Sequence, residues 1–256
     1  MSDIDDTKAP LLDHLIELRT RLLWCVVTLV VAFFACFYFA EHIFAVLVQP
    51  LLQAGQDRLI FTNIFEAFFV QVKVAFWAAL MISFPVLAIQ IWRFVAPGLY
   101  KNEKNAFLPF LLMTPVLFAL GASLAYFVAL PVAIHFGLSY QGTIGGVEQT
   151  ALPAVSYYLD FVMRFIFGFG AAFLLPVALL LLERAGIVTR KQLAGGRRYA
   201  IVGAAVIAAV LTPPDVVSML TLAVPLCLLY EVALVAMWFT ERKRNKAGAA
   251  EEAKTA

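Results

Sequence analysis

Two carboxylates, Glu17 and Glu103, stand in basic runs next to long apolar stretches, in HLIELRTRL at 14–22 and PGLYKNEKN at 97–105. The chemistry open to such a pair is capture of a cation. Arginine suits best, because its planar guanidinium bonds a carboxylate through two parallel hydrogen bonds and an ammonium does not. Each acid also has a plainer reading. Glu17 is four residues before Arg21, a helical pair worth a few tenths of a kcal/mol. Asn102 can cap a helix start, where the positive dipole end favours Glu103. Glu231 is the deepest acid, about two turns inside the Arg242–Arg244 cluster, where a charge is costly unless protein, water or a partner receives it. Asp160 and Arg164 are at pairing distance on one helix, and Lys73 can snorkel to headgroups. Catalysis has no comparable candidate. Walker loop, HExxH, GxSxG and dinucleotide fingerprint are all missing from the sequence. Cys25, Cys36 and Cys227 lie in apolar runs and suit small apolar packing, and His14, His42 and His135 are isolated, so no metal set or disulfide framework is indicated.

The elements that must position these acids are membrane helices. Six apolar stretches run over Leu22–Phe39, Phe69–Trp92, Phe107–Leu130, Phe161–Leu182, Tyr199–Leu211 and Val216–Phe239. With 63% hydrophobic residues and a mean hydropathy of +0.89, 256 residues cannot hide their apolar surface in one water-soluble core. Four stretches reach the ~20 residues that span ~30 Å of hydrocarbon. Lipid offers backbone groups no partner, so each run must be helical, and the runs are too long and continuous for barrel strands.

Charge sets the expected topology. Sixteen of the nineteen Lys and Arg residues fall in the N-terminus, the 93–104 loop, the 184–198 loop and the tail after Phe239. Positive loops stay cytoplasmic, which predicts six crossings with both termini inside. Residues 10–21 predict a short amphipathic helix in the cytoplasmic interface, and no cleavable signal peptide is read there. The 40–68 loop, rich in Leu and Phe, predicts short helices on the outer membrane face. Residues 131–158 form a second outer loop, and Thr212–Asp215 a sharp turn. Pro85, Pro115, Pro176 and Pro225 each remove a helical hydrogen bond and favour a kink. Stretch five reaches only about 20 Å at ~1.5 Å per residue, so the bilayer thins there or protein covers its ends. Residues 241–256 read as a disordered cytoplasmic tail.

Several short motifs then carry a resemblance. HLIELRTRL at 14–22, FVAPGLYKNE at 94–103, GASLAYF at 121–127, FGFGAAFLLP at 167–176, RRYAIVGA at 197–204, LTPPDVVS at 211–218 and LYE at 229–231 resemble, in order, those of the TatC subunit of the twin-arginine protein translocase. The resemblance covers residues 10 to about 240. It implies a concave, glove-like arrangement of six helices in the bacterial inner membrane, with residues 1–240 as one membrane domain. It implies a receptor, not an enzyme, without cofactor or nucleic acid. Such a receptor binds twin-arginine signal peptides and recruits TatB, TatA and other TatC copies to export folded proteins on the proton-motive force. Carried over by motif, the signal-peptide site would comprise Glu17, Leu18, Arg19, Phe94, Pro97, Leu99 and Glu103. Pro50, Glu66, Pro85, Tyr126, Asp215 and Glu231 would serve contacts between helices or with partners. Leu174 departs from the pattern, where the family usually has Glu or Gln, and Ile64 stands where many members have proline.

Two other classes compete. An ion- or proton-coupled small-molecule transporter needs converging polar groups at mid-membrane depth, and this chain has few beyond its boundary acids. An intramembrane enzyme needs a nucleophile, metal set or carboxylate pair, and none is visible.

Overall fold

Helix forms along nearly every apolar run, because lipid offers the backbone no other hydrogen-bond partner. The computed structural model describes residues 3–99, 108–144, 147–184, 186–212 and 215–255. Its elements are α1 (Asp3–Tyr38), α2 (Ala40–Gln53), α3 (Glu66–Leu99), α4 (Leu108–Leu124), a π-helical turn (Ala125–Ala129) and α5 (Leu130–Leu138). A two-stranded antiparallel hairpin follows, β1 (Gly142–Ile144) with β2 (Val147–Gln149). Then come α6 (Val155–Ala172), α7 (Leu175–Arg184), α8 (Arg190–Gly195), α9 (Arg197–Leu211) and α10 (Val216–Thr255).

Among the described residues five helical segments are long and apolar enough to cross a membrane: Leu15–Tyr38, Glu66–Phe94, Leu111–Leu138, Val155–Arg184 and Val216–Phe239. The fifth apolar stretch, now α9, has 15 residues, about 22 Å of helix. It falls short of a full span by itself.

Three boundaries differ from those read in the sequence. The segment 10–21 is no separate helix but the early part of α1, which runs unbroken over 36 residues. No Gly or Pro interrupts RTRLLW at 19–24, so nothing stops the helix there. At the other end α10 stays helical to Thr255, into the segment that composition marked as a disordered tail. Its Ala, Glu and Lys residues are strong helix formers. The prolines, finally, are unequal. Helix continues through Pro85, Pro115 and Pro225, whereas the chain turns at Phe173–Leu174 and restarts with Pro176 in the first turn of α7. A proline costs least there, since first-turn N–H groups have no helical acceptor. Pro131 likewise opens α5. The ladder before it widens into the π turn, because Pro131 cannot donate and its ring crowds the carbonyl four residues earlier.

The chain divides into two compact units, residues 1–116 with 151–163, and residues 117–150 with 164–256. In the first, α1 packs lengthwise on α3 through Cys36, Ala75 and Ala79, with Leu29, Ala32, Phe33 and Ile43 around them. Small residues let the two backbones approach, the main source of helix association where lipid is as apolar as the side chains. In the second unit α10 packs on α7, α8 and α9. Tyr230, Leu234 and Met237 meet Leu175, Leu179 and Leu180. Gly121 lies against Phe169 and Phe173, and Gly170 against Phe118.

Candidate functional site

Glu17 sits half-buried on α1. Arg21, one turn on, donates to Glu17 Oε1 from Nε at 2.9 Å and from Nη2. The plainer sequence reading of Glu17 is therefore realised. Its strength decides what it means: a helical i,i+4 ion pair contributes about 0.2–0.5 kcal/mol. A better-placed guanidinium can displace or share that carboxylate at little cost. Leu18 and Arg19 beside it are exposed.

The second half of the expected site is the end of α3. Phe94 is half-buried, and Pro97 and Leu99 lie in the last turns of the helix. Glu103 lies outside the described residues. Just before Phe94, buried Trp92 donates from Nε1 to Thr114 Oγ1 at 3.0 Å, which ties α3 to α4 below the connecting loop. An indole and a hydroxyl buried in apolar surroundings need partners, and here they serve each other. Motif reading singled out neither residue.

At the other end of α3 the expected contact residue Glu66 is buried and multiply bonded. Oε2 accepts from the backbone N–H of Thr62, from Thr62 Oγ1 at 2.8 Å and from the Asn63 N–H at 3.2 Å, while Oε1 accepts from the Ser156 N–H at 2.9 Å. One carboxylate thus closes the 62–66 turn and clamps it to the first turn of α6. Nearby bonds reinforce the clamp. Ile60 pairs with Pro153 and Val155 through the backbone. Gln56 Nε2 donates to the carbonyls of Arg58 and Ala151. Tyr158 Oη donates to the Leu47 carbonyl at 3.0 Å. Pro50, also expected as a contact, is buried within α2.

Asp160 does not pair with Arg164. It takes Lys73 Nζ at 2.8 and 2.9 Å, joining α6 to α3, and so Lys73 has a partner where headgroup snorkelling was expected. Sequence distance concealed this pair, whereas the neighbour four residues away was easy to see.

The remaining contact candidates scatter. Pro85 is exposed on α3 and Tyr126 half-buried in the π turn. Asp215 is buried, and its Oδ2 accepts from the Ser218 N–H at 2.6 Å, capping α10. Glu231 forms a two-pronged pair with Arg197, Nε to Oε1 at 2.8 Å and Nη2 to Oε2 at 3.0 Å, which joins α10 to the start of α9. Among the described residues no group of three His, Cys, Asp or Glu side chains could hold a metal ion.

The motif order and this helical frame meet in a comparison with known families. The model for the Sec-independent protein translocase protein TatC matches residues 13–225. The chain belongs to the TatC family. A TatC protein from Magnetococcus marinus is 46% identical over 253 residues, spanning 98% of this chain and 92% of that one. A TatC protein from Aquifex aeolicus is 38% identical over 240 residues, 93% of this chain and 98% of the relative. A crystal structure of the twin-arginine translocase receptor TatC in DDM superposes with a TM-score of 0.75 at 39% identity, covering 88% of this chain and 99% of that one. The resemblance carried by the motifs thus extends over nearly the whole length of these two relatives. A TatC protein is a membrane component of protein transport, not an enzyme.

Proposed function

We propose that this chain is the receptor subunit for twin-arginine signal peptides in the bacterial inner membrane. Glu17 and Glu103 receive the paired guanidinium groups, and Leu18, Arg19, Phe94, Pro97 and Leu99 shape the surrounding surface. Six crossings with both termini cytoplasmic underlie the proposal. The positive loops alternate, and short α9 completes the count as the returning half of a hairpin with α10.

The observation that carries the reading is the placement of Glu17 and of the α3 terminus. At ~1.5 Å per residue, Glu17 lies ~28 Å along α1 from Cys36, and Phe94 lies ~22–28 Å along α3 from Ala79 and Ala75. These cysteine and alanine residues share one cluster. With α1 and α3 crossing in opposite senses, both ends arrive at one membrane face at nearly one depth. The Arg21 pairing is a helical i,i+4 contact of small net worth, which an incoming guanidinium can share or replace. Bound precursor is then handed to single-span TatB and TatA partners and other TatC copies for export on the proton-motive force.

The test is site-specific cross-linking. A photoreactive residue at position 18 or 99 should capture a twin-arginine precursor and lose it when the precursor's arginine pair becomes lysine. Capture unaffected by that change would remove the receptor assignment.

The topology has its own check. Cysteines placed at positions 57 and 143 should react with a membrane-impermeant thiol reagent in sealed cells, and one at position 190 should react only after the membrane is opened. Outside labelling at 190 would overturn the six-crossing arrangement.

A further inference from the structure

We propose that the face built by α8, the start of α9 and α10 beyond Glu231 binds anionic phospholipid, phosphates being held at Arg198 and at Arg242. The inference rests on the membrane topology above, which brings this face to the headgroup layer.

The first observation is an uneven use of arginines. Segments 183–198 and 231–246 hold nine Lys and Arg residues against three acids, Glu183, Glu231 and Glu241. Two of the acids are taken up internally. Arg197 grips Glu231, and Arg190 Nε donates to Glu241 Oε2 at 2.6 Å. Those pairs fasten α8 and α9 to α10, helped by Tyr230 Oη, which donates to the Leu193 carbonyl at 2.7 Å. The Thr189–Gln192 capping box starts α8 rigidly.

Arg198 and Arg242 are used differently. The Arg198 guanidinium lies 4.8 Å from the centre of the Tyr199 ring and donates to its Oη at 3.0 Å. That of Arg242 lies 5.3 Å over Trp238. Stacking orders a guanidinium without neutralising it. Each stays charged, exposed and held at a fixed height beside an amphipathic ring of the kind that settles at membrane interfaces.

What lies below each arginine selects the occupant. Tyr199 heads a stripe of exposed Val202, Val206 and Val210 on α9, and Trp238 heads one of Val235, Val232 and Leu228 on α10. Their three- and four-residue spacing keeps each stripe on one helix face. A phosphate on each stacked arginine, with acyl chains along the stripe below it, satisfies both halves. A soluble phosphate would use only the charged half. Basic sites on the cytoplasmic side of membrane helices suit anionic headgroups for this reason.

The experiment uses the full chain, stripped of lipid in a non-ionic detergent and titrated with phosphatidylglycerol, phosphatidylcholine or inorganic phosphate. Bound lipid is counted by native mass spectrometry, and each variant's lipid-free melting point serves as the folding control. Phosphatidylglycerol should bind, and the other two should bind at least about tenfold more weakly. R198Q combined with R242Q should lose about tenfold or more of that affinity, and R198K with R242K should lose an intermediate amount. K191Q combined with K246Q removes the same charge and should stay within about twofold of the parent. Equal loss in both glutamine pairs would mean a diffuse field and overturn the site. Phosphatidylcholine or free phosphate binding as well as phosphatidylglycerol would overturn it too. If the arginine-to-glutamine pair does not fold, the lysine pair decides: unchanged affinity there refutes the stacked-arginine site. No precursor or partner enters this assay, so its failure is separate from any failure of the receptor reading.

Discussion

Replacing Gly121 by alanine is expected to cost about 3 kcal/mol, at the upper end of the overpacking range, although the change adds one methyl group. A β-carbon at Gly121 would lie 2.6 Å from the Phe169 carbonyl oxygen and 2.8 Å from Cβ and Cγ of Phe173. The first of these is backbone, so the clash is not relieved by a rotamer change. The α4 and α6 backbones must move apart, and the fully buried Phe165 and Phe169, their ring centres 4.7 Å apart and tilted by 45°, lose packing around them as they do. Gly170 is close as well, but its nearest neighbour is the Phe118 ring at 2.7 Å, a side chain with some freedom to yield. G170A should therefore cost less. Gly203 on α9 has nothing within 4 Å of an added β-carbon. There alanine should be neutral or stabilise by about 0.5–1 kcal/mol through helix propensity. Melting midpoints in detergent for the three variants check the order. A Gly121→Ala protein that melts with the parent would show that α4 and α6 do not pack this closely.

That ranking depends on contacts no periodicity reveals, and it shows where sequence reading ends. The five segments long and apolar enough to cross a membrane were legible, because long apolar runs have one stable form in lipid. The α2 helix in the 40–68 segment was legible from its Leu and Phe content. Helix ends were less so. The break before Pro176 and the unbroken passage through Pro85 arise from the same residue type, and what differs is the packing each helix meets. The polar clamps were hidden most deeply. Glu66 was picked by motif, but its partner Ser156 is distant in sequence, as is Asp160 from Lys73. Local spacing favoured Asp160–Arg164, and tertiary structure chose the lysine. At the proposed receptor site the sequence contributed residue types and motif order. The structure contributed the Glu17–Arg21 pair and the Trp92–Thr114 tie behind Phe94.

The Glu17 pairing leads to the largest functional effect expected of this chain. Two adjacent guanidinium groups arriving at the cytoplasmic face need two carboxylates near the interface, where a lower dielectric strengthens a charge-assisted pair. The local field does not help, since Arg93, Lys101 and Lys104 repel a nonspecific cation. Binding must rest on aimed acids. A hydrogen bond to a charged group contributes about 1.5–3 kcal/mol, so Glu103→Gln should weaken precursor binding about tenfold or more while membrane insertion persists. Glu103→Arg should do worse, since it adds repulsion. Glu17→Gln should weaken binding too, by less, because the incoming arginine must first displace or share with Arg21. Combining both glutamines should depart from additivity if one signal peptide bridges the two acids. A purely structural role predicts another pattern: Glu17→Gln would lose the about 0.2–0.5 kcal/mol of a helical i,i+4 pair, and the folded protein would bind precursor as before. Precursor affinity of detergent-solubilised complexes separates the two outcomes, with the melting point of each variant as control. Parental affinity in the double glutamine variant would sink the assignment of these acids to the arginine pair.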